Sequence, residues 1–295
     1  MTMAARDLED FPARLRLVRS LLLERCGTAE KGRRAAALVQ RIEERLQRPP
    51  RIVLLGETNS GKSTLANRLL QRELLTTDIL LNTRVPVLVR HGPVAGVHIR
   101  SLDGPRHLLS VKTAPQARLD DVERVEVSVP LTVLQDFELL DLPGLSTEVG
   151  AIDRARRQCA TAHMAIWCTV ASQAWKASEL GLWRALSKRF GGASLLAVTH
   201  ADGLSVADRD KVMKRLERDA APLFRSIVMV SDEPRLNEGI AATDTEPVDV
   251  LAVVRAAAAG IQAQRYKRAG AVVRKFAERM TRGARERRAE SVQTV

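Results

Sequence analysis

Apolar residues near the start of the chain recur at Leu8, Phe11, Leu15, Val18 and Leu22, in steps of three and four. That spacing draws a single stripe down an α-helix. Pro12 lies inside the stripe, so the helix is predicted to begin properly there, with Leu8 and Phe11 as a lead-in. Gly27 and Gly32 interrupt the pattern, and a second helix follows with Leu38, Ile42 and Leu46 on one face. Pro49 and Pro50 stop it. The C-terminal end mirrors this, with Leu251, Val254, Ala258 and Ile261, then Val272, Phe276 and Met280 beyond Gly270. After about residue 282 the pattern predicts a frayed end. Two amphipathic ends must bury their stripes, and the simplest solution is a helical bundle formed by the two.

Between them the period changes. Short apolar runs at 51–55, 85–90, 122–129, 137–140, 164–170, 195–199 and 227–230 alternate with helical segments. This predicts an α/β domain with a mainly parallel sheet. Segments 97–101 and 107–111 read as an extra hairpin around Asp103 and Gly104. The expected organisation is residues 1–50 as N-terminal helices, 51–247 as the central domain and 248–295 as a C-terminal helix with a basic tail.

Composition refines the picture. Apolar residues make up 45% of the chain but aromatics only 3%, so aliphatic side chains must do most of the packing. The net charge of +12 is uneven: residues 1–50 hold 11 Lys/Arg against 7 Asp/Glu, 51–250 hold 25 against 25, and 251–295 hold 11 against 3. A neutral centre with basic arms points to an anionic surface, membrane or nucleic acid, as partner. Cys26, Cys159 and Cys168 have no metal or redox spacing and read as reduced thiols of a cytoplasmic protein. Asp7, Glu9 and Asp10 stand where a leader would be basic and then apolar, and no uncharged apolar run reaches membrane-spanning length.

The central domain carries the chemistry. Gly56, Glu57, Thr58, Asn59, Ser60, Gly61, Lys62 and Ser63 fit G-x-x-x-x-G-K-[ST], and the motif stands between a predicted strand and a helix in which Thr64 is followed by Leu65, Leu69 and Leu70. Backbone N–H groups of such a loop cradle phosphates, the lysine reaches the β- and γ-phosphates, and the serine hydroxyl ligates Mg²⁺. The strand ending in Asp141-Leu142-Pro143-Gly144 supplies D-x-x-G. Asp141 would hold a water on Mg²⁺, and the Gly144 N–H would bond the γ-phosphate, whose loss would release the loop. Thr199-His200-Ala201-Asp202 follows another strand and fits a guanine reader, with Asp202 accepting from guanine N1 and N2. His200 stands where a lysine is usual. After Gly144 comes Leu145, which has no group to orient an attacking water as the glutamine of small GTPases does. A threonine completing the Mg²⁺ shell has three candidates, Thr76, Thr77 and Thr83. Ser231 and Asp232 match a fifth GTPase motif poorly. Trp175, in a stretch with Ser172 and Gln173, reads either as a partner surface or, preferably, as a residue packing a helix onto the sheet.

The segments GETNSGKSTLANRLL (56–70), TRVP (83–86), DLPGL (141–145) and, more loosely, THAD (199–202) resemble the dynamin superfamily of large GTPases, particularly bacterial dynamin-like proteins. The resemblance selects Thr83 as the first-switch threonine, so the implied metal set is Ser63, Thr83 and Asp141. It implies GTP hydrolysis in which Thr58, Asn59, Lys62 and Thr83 are catalytic and dimerisation of GTPase domains accelerates turnover. Asn59 matches a loop asparagine that binds a monovalent cation, K⁺ or Na⁺. The terminal helices resemble the family's neck, which carries movement out of the GTPase domain. A long stalk and a lipid-binding tip have no evident room. The implied partners are GTP and GDP, a second copy or a longer dynamin-like protein, and an anionic membrane, with a peripheral place at its inner face. RNA is the competing partner for the basic arms, without a recognisable RNA module, and a non-catalytic GTP-binding scaffold is the third reading.

Overall fold

A computed structural model describes residues 11–26, 30–75, 85–101, 107–109, 122–146, 150–190, 192–230, 239–240 and 249–293. It divides into two compact units, one made of 1–48 and 259–295, the other of 49–258.

Among the described residues, the larger unit is built on a ten-stranded sheet. Its strands are β1 (Arg51–Leu55), β2 (Val87–His91), β3 (Gly96–Ser101), β4 (His107–Leu109), β5 (Val122–Val129), β6 (Glu138–Asp141), β7 (Met164–Val170), β8 (Ser194–Thr199), β9 (Ser226–Met229) and β10 (Gly239–Ile240). They lie in the order β10-β9-β8-β7-β1-β6-β2-β5-β3-β4. From β9 to β6 the run is parallel. Strand β2 is antiparallel to β6 and parallel to β5, and β3–β4 form the expected hairpin, in the register Val97↔Leu109. The predicted parallel core is therefore present, extended by antiparallel additions. The two-residue β10 has no sequence signal, because so short a strand is defined by its neighbour.

All five residues of β1 are buried, which explains why it reads as a continuous apolar run rather than an alternating one. The buried face of α3 (Lys62–Leu70), Leu65, Ala66, Leu69 and Leu70, lies over β1 and β6. Val53 and Leu55 belong to a core cluster that also takes Ala155 and Cys159 from α4 (Ala151–Cys159), Leu182 and Trp183 from α5 (Ala177–Leu186) and Leu216 from α6 (Val206–Asp219). The scarce aromatics are concentrated there. Trp183 stacks on Phe224 at 4.5 Å, and Trp167 meets Trp175 edge-on at 6.3 Å. Trp175 is buried, in keeping with the packing alternative, while Ser172 and Gln173 are exposed. Cys159 and Cys168 are buried free thiols, pushed up to about 12 by burial.

At the foot of the sheet, Arg51 Nε and Nη2 donate to Glu138 Oε2 at 2.9 and 2.7 Å, and Arg51 Nη1 donates to Thr161 Oγ1 at 2.9 Å. The opposite, C-terminal ends of β1, β6, β7 and β8 are where ligands of open α/β sheets bind.

The smaller unit contains α1 (Phe11–Cys26), α2 (Glu30–Gln47) and the later part of α7 (Val250–Gln293). Pro12 sits in the first turn of α1, as expected. Leu15, Val39 and Leu46 form a cluster against which Val18, Ile42, Tyr266, Ala269 and Val273 pack, so the two ends of the chain do make one bundle. Gln262 Nε2 donates to Leu46 O at 2.8 Å, and Arg265 Nη1 donates to Arg48 O at 2.8 Å. Three expectations are corrected. Leu38 is 42% exposed while Val39 is 2%, and Val272 is 49% exposed while Val273 packs. Alanines 35, 36 and 269 share the seam, and alanine gives too little contrast to fix the phase of a stripe. Helix α7 also continues through residues 282–293 rather than fraying there. Its Leu251, Val254 and Ala258 are buried and belong to the larger unit, so the division falls inside the helix. Leu8 lies outside the described residues, as do the side chains of Phe11, Leu22, Phe276 and Met280.

Candidate functional site

The loop from β1 to α3 is shaped by three residues with positive φ. Gly56 has φ 147°, Asn59 60° and Gly61 77°. A Cβ on Gly56 would sit 2.5 Å from Cys168 O and from Ser60 Oγ, so glycine is obligatory at the turn out of the strand. Gly61 caps α3 in the left-handed conformation and faces the Thr199 side chain. Asn59 is exposed in the left-handed region that asparagine tolerates better than most residues. Thr58, Ser63 and Thr64 are exposed along the rim, and Ser60 is buried beneath it.

Lys62 is buried and folded back onto the loop. Its Nζ donates to Glu57 O at 2.6 Å, Gly56 O at 3.2 Å and Ser60 Oγ at 3.4 Å. Burial pulls its pKa down, while Cys168, Asp141 and Glu57 hold it up. Asp141 stands at the end of β6, half-buried as a residue but with Oδ1 enclosed and without a hydrogen-bond partner. Burial raises its carboxyl to about 6, against the pull of Lys62. A hard dication would supply what this carboxylate lacks, and with the Ser63 hydroxyl the donor set is all oxygen, so the residues fit Mg²⁺.

The D-x-x-G segment is laid against the phosphate loop. Leu145 N donates to Gly56 O at 2.9 Å, and Glu57 pairs with Leu145 in a parallel bridge. A Cβ on Gly144 would lie 2.4 Å from Thr58 Oγ1 and 2.6 Å from Thr58 Cα, so only glycine permits this approach.

The T-H-x-D segment closes the other side. Thr199 is buried, and its Oγ1 donates towards Ser60 O at 2.9 Å and Thr169 O at 3.1 Å, tying β8 to the phosphate loop. His200 adopts φ 54° and begins a short 3-10 turn carrying Asp202; both side chains are exposed. A pocket opens here between Gly61, Thr64, Arg68, Thr199, His200 and Val230. Thr76, Thr77, Thr83, Ser231 and Asp232 lie outside the described residues.

Sequence reasoning missed three features. Glu57 accepts from Ser178 Oγ at 2.6 Å and from Lys176 Nζ at 3.3 Å, from the entry to α5. That entry is fixed by buried Glu179, which accepts from Lys176 N, Thr169 Oγ1 and Trp167 Nε1. Arg68, from α3, lines the pocket. Partners more than a hundred residues apart leave no local signal, and Arg68 looks like an ordinary helix surface residue.

Residues 52–189 match the model of the dynamin family. The nucleotide unit is thus similar to the GTPase domains of the dynamin family. Its relatives include dynamin-like protein 2 of Campylobacter jejuni, 23% identical over 185 residues, 61% of this chain and 30% of that protein. The isoniazid-induced protein IniC of Mycobacterium tuberculosis is 32% identical over 116 residues, 37% of this chain and 24% of that protein. The matched stretches thus span less than a third of these relatives. An oligomerised bacterial dynamin pair, described as a mechanism for long-range sensing and tethering of membranes, shares the fold with TM-score 0.58 and 15% identity, over 87% of this chain and 42% of that one.

Proposed function

We propose that the chain binds GTP with Mg²⁺, hydrolyses it, and couples the change to its helical unit at an anionic membrane surface or on a membrane-bound partner. The observation that carries this is the D-x-x-G segment seated directly on the phosphate loop, with an unpartnered carboxylate oxygen beside the loop lysine. In the proposed cycle Lys62 exchanges its loop carbonyls for the β- and γ-phosphates. Ser63, Asp141 and Thr83 would hold Mg²⁺, whose charge would offset that of the phosphates. Gly144 senses the γ-phosphate, and the Leu145–Glu57 bridge passes its loss to the loop. Asp202 reads the base.

Leu145 cannot orient water, so the proposed arrangement is completed by a second GTPase domain meeting the exposed rim at Thr58 and Asn59, with Asn59 holding K⁺ or Na⁺. Such a charge is worth about 10³–10⁵ in rate where an arginine supplies it. The basic character of the helical unit supports an anionic surface as partner, and no described helix is long and apolar enough to cross a membrane.

The test is turnover per molecule across protein concentration, in K⁺ and in Na⁺, beside co-sedimentation with anionic liposomes. A rate independent of concentration and cation overturns the dimer and cation steps. A chain that turns over GTP but stays in the supernatant with and without nucleotide overturns the membrane reading and turns the search to RNA or a protein partner.

A further inference from the structure

The pocket beside the phosphate loop has a cation that none of the GTPase motifs supplies. Arg68 lines it from the second turn of α3, together with Thr64 of the same helix and with His200 and Val230. We propose that Arg68 is a specificity residue that reads guanine through O6 and N7, complementing Asp202 on the N1/N2 edge. This rests on the GTP reading above.

Two observations on the neighbouring residues lead to it. Thr199 has one hydroxyl proton, and Ser60 O and Thr169 O both lie within its reach, so that proton is committed to the protein and not to the base. The next position is His200, held in the left-handed conformation, where the motif would supply a long cationic stem. The guanine O6 and N7 are both acceptors, and an arginine fork is the side chain that most often pairs with them. Adenine presents an amino donor in place of O6, so a guanidinium at this edge selects against it as well. A lysine would keep the charge without the fork.

The discriminating ligand is 7-deaza-GTP, which lacks only the N7 acceptor. Equilibrium binding of GTP and 7-deaza-GTP is measured on the full chain with Mg²⁺, for the parent, Arg68→Ala, Arg68→Lys and His200→Ala. The parent is expected to prefer GTP by about tenfold, the scale of one charge-assisted hydrogen bond. Arg68→Ala should lower GTP affinity and bring the two ligands to within about twofold of each other, with Arg68→Lys between. Retained binding of 7-deaza-GTP by Arg68→Ala shows that the variant is folded. An unchanged preference in Arg68→Ala overturns the proposal while leaving GTP binding intact. A preference lost in His200→Ala but kept in Arg68→Ala overturns it in favour of the imidazole. A parent that binds neither GTP nor GDP sinks this inference and the GTPase reading together.

Discussion

The two compact units are held together in different ways. The nucleotide unit has a double-sided core in which whole strands are enclosed and the polar groups that enter it are tied to each other, as Arg51 is to Glu138 and Glu179 to Trp167 and Thr169. The helical unit rests on a small cluster around Leu15, Val39 and Leu46, lined by alanines and surrounded by basic residues. Its buried acid, Glu43, is met by Arg19 at 3.1 Å and Arg16 at 3.7 Å, both partly in water. One region is fixed by dense mutual constraint, the other by a thin seam. Substitutions should therefore be felt sharply in the first and weakly in the second.

The largest effect belongs to the loop. Lys62→Ala removes the cation that now bridges three loop acceptors and that the proposed cycle hands to the phosphates. GTP turnover should fall by about 10²–10³, the scale of deleting one preorganised electrostatic group. Turnover within a fewfold of the parent would mean that the lysine serves only the loop's shape.

Next comes one ion pair from each unit, a fully buried one and a half-exposed one. Arg51→Ala strands Glu138 at the foot of the sheet, where both side chains are at most 10% exposed, and should cost about 3–5 kcal/mol. Arg19→Ala leaves Glu43 with Arg16 and with water access on the arginine side, and should cost less than about 1 kcal/mol. Urea denaturation of the full chain measures both. Equal costs would remove the contrast between the units.

These pairs also mark what was legible. The loop, its strand and its helix were readable because the motif fixes backbone geometry residue by residue: Gly56 and Gly144 stand where a Cβ collides with a named atom, and Gly61 holds a left-handed φ of 77°. The strand positions followed from apolar runs. The Arg51–Glu138 pair, the Glu57–Ser178 contact and Arg68 in the pocket were not readable, because sheet order and loop crossing decide them. The helical seam was readable in kind but not in phase, since alanines carry much of it.

A titration sharpens the same contrast within the site. Burial raises the Asp141 carboxyl from 3.8 to about 6 in the metal-free protein. The folded state then holds a proton between those values that the unfolded chain has lost. Stability should fall as pH rises through that window and stay level above about 6. Asp141→Asn removes the fall and should gain about 1–3 kcal/mol on the parent near neutral pH in EDTA, while losing the stabilisation by Mg²⁺ and nucleotide. Denaturation midpoints from about pH 4 to about pH 8 check it. Stability level through the window would show a solvated carboxylate, and stability rising from about pH 4 a paired one.

The smallest effects test the seam. Val273 packs toward Leu15, Val39 and Leu46, whereas Val272 is half-exposed one position before it. A lysine at 273 must either leave the cluster or bring its charge in, at about 1–3 kcal/mol. A lysine at 272 should stay within about 0.5 kcal/mol, as should Leu38→Lys on α2. The pairwise design cancels charge and helix propensity, since Val272→Lys and Val273→Lys add the same side chain to the same turn of α7. Helical circular dichroism followed through denaturation reads the difference. If Val272→Lys proves the more damaging of the two, the stripe runs through Leu38, Val272 and Phe276 after all, and α7 is rotated about its axis from the arrangement described here.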